Sequence, residues 1–84
     1  MPVNEWKSNP TTHTYETKVK NLLKGELKRR GITYAELAAK LATIGIQENE
    51  RNLNNKISRG GFTAAFLIQC LEAIGVQVLR LEEV

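Results

Sequence analysis

The side chains with the most chemical capacity in this chain are amides and guanidinium groups crowded into one short stretch. Residues 48–59, ENERNLNNKISR, place Asn49, Asn52, Asn54 and Asn55 among Arg51, Lys56, Ser58 and Arg59, with Glu48 and Glu50 at the front. Groups of this kind bond outward. An asparagine amide can make a two-bond pair with adenine and an arginine with guanine, while a glutamate can accept from cytosine and cations can hold phosphates. Catalysis fits poorly: the chain has no aspartate, one histidine (His13), one cysteine (Cys70) and two serines (Ser8 and Ser58). No nucleophile, base and orienting group can be assembled from that set. One Cys with one His gives no zinc spacing, and no glycine-rich loop runs into Gly-Lys-Ser/Thr. No catalytic residue, metal or cofactor is therefore expected, and paired glutamates such as Glu48 and Glu50 are explained by the preference of helix starts for acids.

The stretch that carries these groups reads as a helix over 48–59 with only two large apolar residues, Leu53 and Ile57, spaced four apart. It can bury a narrow stripe and must leave the rest wet. At about 100° per residue, the side opposite that stripe holds Glu48, Arg51, Asn55, Ser58 and Arg59, with Asn52 beside them. Asparagine is a poor helix former, because its amide competes for backbone hydrogen bonds. A helix with four of them is holding side chains for something outside the protein.

The elements needed to position that helix flank it. Ahead of it, Thr33 is an N-cap, Glu36 completes a capping box, and Ile32 with Leu37 forms the accompanying staple. Leu37, Ala38, Leu41 and Ile44 make one apolar face, and Gly45 stops the helix. Before this, a helix is predicted from residue 14 or 17 to 30. Tyr15, Val19, Leu22, Leu23 and Leu27 lie inward, Lys18, Lys20, Lys24 and Lys28 outward, and Gly31 ends it. Lys28, Arg29 and Arg30 suit its carboxyl-terminal dipole. After the central helix, Gly60 and Gly61 make a corner, Thr63 caps a helix to residue 74, and Phe62, Phe66, Leu67, Cys70, Leu71 and Ile74 form its apolar side. Residues 76–81, VQVLRL, read as a short strand. Residues 1–13 read as an arm, in which Val3 and Trp6 are the apolar residues with a reason to dock. His13 at the arm's end reads as a solvent histidine.

Eighty-four residues suffice for one small domain. The formal net charge of +3 is unevenly spread: residues 17–60 hold ten Lys or Arg against four Glu. That imbalance favours a polyanionic partner. A lone Cys70 on an apolar face suits a reducing compartment, and no apolar run reaches the length of a membrane span or signal-peptide core. A soluble, cytoplasmic protein is expected, with no membrane and no metal partner.

Taken together, LKRRGITYAELAAKL, NKISRGGF and FLIQCLEAIGV resemble the lambda-repressor-like, xenobiotic-response-element type of helix-turn-helix domain. They are more similar still to a small bacterial family known as a domain of unknown function. The resemblance covers residues 19–76, about two thirds of the chain. It implies an all-α fold of four to five compact helices over 14–75, to which the short C-terminal β-strand read over 76–81 is added, with a tail to 84. It further implies a transcription regulator that sets the helix over 48–59 into the major groove of double-stranded DNA. On that basis Arg51, Asn52, Asn55 and Glu48 are base-reading candidates, and Thr33, Tyr34, Lys56, Ser58 and Arg59 phosphate-binding candidates. Tyr34 stands where many members have a glutamine, and residues 42–44 lengthen the turn before the central helix. The lone strand needs a partner, either the arm around Val3 or its own copy in a homodimer, so Val76, Val78, Leu79 and Leu81 are dimerisation candidates. The alternative function is a protein-protein interaction module on the same fold.

Overall fold

The computed structural model describes residues 9–83, so the expected docking of Val3 and Trp6 lies outside the described residues. Four helices follow one another: α1 (Pro10–Arg29), α2 (Tyr34–Thr43), α3 (Glu50–Arg59) and α4 (Ala64–Ala73), with a final 3-10 turn at Leu81–Glu83. The fold is all-α and compact, as expected.

Helix α1 starts earlier than its periodicity indicates. Asn9 accepts a hydrogen bond from the Thr11 N–H at 2.7 Å, and Pro10, which has no N–H to satisfy, takes the first helical position. Thr14 and Thr17, at which the helix was expected to start, turn their hydroxyls back onto the Pro10 and His13 carbonyls, 3.1 Å each. His13 thus lies inside the helix, with Nδ1 3.0 Å from Glu16 Oε1.

Three of the helices end in one way. After α1, α2 and α4 a glycine with positive φ (Gly31, Gly45, Gly75) precedes an apolar residue whose N–H reaches back to a carbonyl five residues earlier. Those bonds are Ile32 to Leu27 at 2.9 Å, Ile46 to Leu41 at 3.0 Å and Val76 to Leu71 at 2.9 Å. This is the Schellman closure, in which the apolar residue also folds onto the helix it terminates.

That closure corrects the reading of residues 76–81 as a strand. Among the described residues there is no strand. Val76 is buried because it seals α4, Leu79 packs half-buried on the core, and Val78 and Leu81 point outward. Val76 thus finds apolar cover without a strand partner, and Val78 is left in solvent.

The core is built from Leu23 and Leu27 of α1, Leu37 and Leu41 of α2, Leu53 and Ile57 of α3, and Phe66, Cys70 and Leu71 of α4. Helix α3 packs on α1 and α2, while α4 packs on the same two helices. Full burial of the Leu53 and Ile57 side chains is worth roughly 1.5–3 kcal/mol each, and it is the main attachment of α3 to the body. At the far end of α1, Glu26 is largely covered and accepts from Arg29 at 2.7 Å, with Arg30 Nε 3.6 Å from its other oxygen. Arg30 also donates to the Ile74 carbonyl at 3.4 Å. Two of the three cations at this helix end are thereby engaged with the fold itself.

Candidate nucleic-acid interface

Helix α3 begins two residues later than the expected 48–59, which leaves Glu48 outside it. Asn49 is its cap and accepts from the Asn52 N–H at 2.8 Å, so Glu50 is the first helical residue. The Gly60 backbone ends it at φ +75°, where a Cβ would come within 3.0 Å of the Glu16 carbonyl oxygen. Only a glycine allows the end of α3 to approach α1 this closely. Between these ends, Arg51, Asn52, Asn54, Asn55, Lys56, Ser58 and Arg59 are all exposed.

Exposure alone does not make them equivalent. Ser58 Oγ donates to Asn54 Oδ1 at 3.2 Å, so those two side chains already share a bond along the helix. Among the described residues the side chains of Arg51, Asn52, Asn55 and Arg59 have no hydrogen bond or ion pair. Their donors and acceptors face water, available to a ligand.

Glu48, expected beside them, is elsewhere. It precedes the helix, its side chain is only 6% exposed, and its carboxylate pairs with the Lys56 ammonium. Lys56 also lies over the Phe66 ring, 5.0 Å from its centroid, against the tilted Phe62–Phe66 pair. The structure therefore removes Glu48 from the exposed face, and it engages Lys56, expected on phosphate, with a carboxylate and a ring. Their charges reach inward as well: burial first, and then the Glu48 charge, push the Cys70 thiol up to about 12, with Lys56 opposing. Cys70 is inert at neutral pH.

Thr33 is likewise occupied. Its N–H donates to Glu36 Oε1 at 3.0 Å and its hydroxyl accepts from the Glu36 N–H at 3.1 Å, which completes the capping box. The backbone bond from Thr33 is the main reason the Glu36 carboxyl titrates below its ordinary value. An acid of the protein's own thus fills the position at the start of α2 where a phosphate was expected. Tyr34 remains suited to its expected role. Burial raises its phenol above the ordinary value, and like any tyrosine at neutral pH it is a protonated donor.

Two further groups were missed as part of the site. A groove of about 370 Å³ has Leu27 and Ile32 in its floor and brings Lys24 and Lys28 of α1 together with Thr33, Tyr34 and Glu50. The lysines were assigned to the outer side of α1 and Glu50 to its helix dipole. What joins them is the packing of α3 on α1, which no spacing in the sequence announces.

Residues 15–79 match the family profile described as Domain of unknown function (DUF6471). The chain belongs to the DUF6471 family. The matched segment contains α2, α3, α4 and most of α1, so the exposed amides and guanidinium groups lie inside the DUF6471 domain. No curated protein and no solved structure matches the chain. Among the described residues of this DUF6471 domain no group of His, Cys, Asp or Glu could hold a metal ion, and no helix is long and apolar enough to cross a membrane.

Proposed function

We propose that this DUF6471 domain is a sequence-specific DNA-binding regulator of the lambda-repressor-like, helix-turn-helix kind. In this reading α2 lies across the DNA backbone and α3 enters the major groove. The observation that carries it is the division of α3: two apolar side chains, Leu53 and Ile57, fix the helix to the body, and Arg51, Asn52, Asn55 and Arg59 are left outward without internal partners. Asparagine and arginine are the side chains that pair with adenine and guanine through two bonds each. Arg51, Asn52 and Asn55 are assigned to base edges, and Tyr34, Arg59 and the Ser58 hydroxyl, turned from Asn54 to donate outward, to phosphates. The excess of basic residues over 17–60 supplies the sequence-independent attraction.

A dimer belongs to the same reading, because two-fold DNA sites are read by paired helices. Val78 and Leu81, 74% and 60% exposed, are the apolar side chains suited to the interface, replacing the strand pairing. Exposed apolar groups of this kind are equally what a protein-interaction module presents, and Ile68 on α4 adds a third, 52% exposed. The test is a mobility-shift measurement on fragments from the chain's own promoter region at moderate salt. Retention of the shift against excess nonspecific DNA is expected. Its loss under that competition favours the protein-partner reading. Action in the cytoplasm on bacterial promoters follows from the same proposal.

A further inference from the structure

The groove between α1, α2 and the start of α3 has an unusual charge division. On one wall Lys24 and Lys28 stand one helical turn apart, both exposed, and among the described residues neither has an ion pair. On the other side Glu50 opens α3, also exposed and also without an ion pair among the described residues. Tyr34 also lines the groove, its phenol a hydrogen-bond donor. We infer that this groove is a composite DNA contact in which Lys24 and Lys28 hold a backbone phosphate and Glu50 reads a cytosine.

The inference rests on the DNA reading above and follows from where each charge can go. A docked backbone would bring phosphates to this side of α3, and a carboxylate beside them is repelled. Glu48 escapes that repulsion by turning inward to Lys56. Glu50 has no such retreat. Placed in the first helical turn, the part of a major-groove helix nearest the bases, it needs a donor, and the cytosine N4 amino group is the base-edge donor that a carboxylate takes. Lys24 and Lys28, four apart on α1, offset the carboxylate and carry the phosphate. The contrary explanation is that Glu50 only favours the helix dipole. A role confined to the helix leaves base preference untouched, and this separates the two.

The experiment is selection from a randomised duplex library with wild type, E50A and the K24A/K28A double variant. Binding to the selected and a scrambled duplex is then measured across about 50–200 mM salt. K40A, at the opposite end of α2, controls for loss of positive charge in general. Wild type is expected to enrich a cytosine that E50A no longer enriches, with cognate-to-scrambled discrimination in E50A falling roughly five- to hundred-fold while binding to scrambled DNA tightens. K24A/K28A is expected to weaken both duplexes alike and reduce the log-log salt slope by about one, with K40A reducing it less. Retention of the same cytosine by E50A, or an unchanged slope in K24A/K28A, overturns the inference and leaves DNA binding standing. A wild-type chain that enriches no duplex overturns both.

Discussion

Asn55 and Lys56 are neighbours in sequence and differ in every physical respect that matters. Asn55 projects outward with no partner among the described residues, whereas Lys56 neutralises the nearly covered Glu48 carboxylate and lies on Phe66. Asn55→Ala should raise the thermal midpoint slightly, alanine being the better helix former, and cost about 1–3 kcal/mol in binding to the preferred duplex. Lys56→Ala should do the opposite first, costing about 1–3 kcal/mol of stability by leaving Glu48 desolvated without its cation. Thermal unfolding run beside fluorescence-anisotropy titration checks both; an Asn55→Ala protein with full discrimination between cognate and scrambled sites takes that residue off the reading face. A second pair of carboxylates sets the response to acid. The bond from Arg29 holds Glu26 below its ordinary 4.5, and the Thr33 N–H does the same for Glu36. A carboxyl depressed in the folded state contributes stability fully above its unfolded value and loses it as pH falls through the folded value. Stability should therefore decline below about pH 4.5, and Glu26→Gln should flatten that decline in urea titrations at stepped pH; an equally steep decline in the variant refutes the assignment.

At the scale of the element, the glycine helix stops divide into two kinds. Gly45 has φ +84° and open space around a would-be Cβ, so Gly45→Ala meets only the left-handed backbone penalty, about 1–2 kcal/mol. Gly60 has φ +75° and also the Glu16 carbonyl 3.0 Å from the position a Cβ would take. Gly60→Ala must therefore add a backbone displacement, at the point where α3 is set against α1. The expected outcome is a larger fall in thermal midpoint for Gly60→Ala than for Gly45→Ala, accompanied by weaker DNA binding in the folded protein. Equal midpoints would mean that α1 yields without cost. The same local bonding explains why truncation after Gly75 is a poor probe of assembly: it removes Val76, which closes α4 and lies buried.

For the whole molecule, assembly is better probed from the surface. Val78→Glu with Leu81→Glu places charge on two exposed side chains and spares Val76. Sedimentation at micromolar concentration should show a dimer for the wild type and a folded monomer for this variant, whose melting midpoint, unlike the wild type's, does not rise with protein concentration. A wild type already monomeric there ends the dimer proposal. DNA affinity should also fall steeply with salt, because ten cations against four acids lie within residues 17–60. Arg29 and Arg30 are held on Glu26, and Lys56 on Glu48. Fewer cations than the sequence contains are therefore at liberty to release counterions, and the slope should correspond to several ions, well below ten. A flat response across about 50–200 mM favours a protein partner.

What the sequence determined by itself is the set of helices and most of their ends. Thr33 with Glu36, Thr63 before Phe66, and the glycines at 31, 45, 60 and 75 act through bonds spanning at most six residues, so they are legible in a short window. The narrow Leu53 and Ile57 stripe was legible for the same reason: two residues four apart define a face wherever the helix packs. The start of α1 was missed because Thr14 and Thr17 have two local options, capping or back-bonding, and the earlier Asn9–Pro10 start decides between them. Tertiary structure alone decided which charges face out. Glu48 and Glu50 look alike in sequence, yet one meets Lys56 eight residues on and the other meets the groove of Lys24 and Lys28, more than twenty residues back. The fate of the last residues was decided there too. VQVLRL satisfies a strand pattern, and only the presence of an apolar surface beside α4, with no strand among the described residues to pair with, makes Val76 a helix closure and leaves Val78 and Leu81 outside.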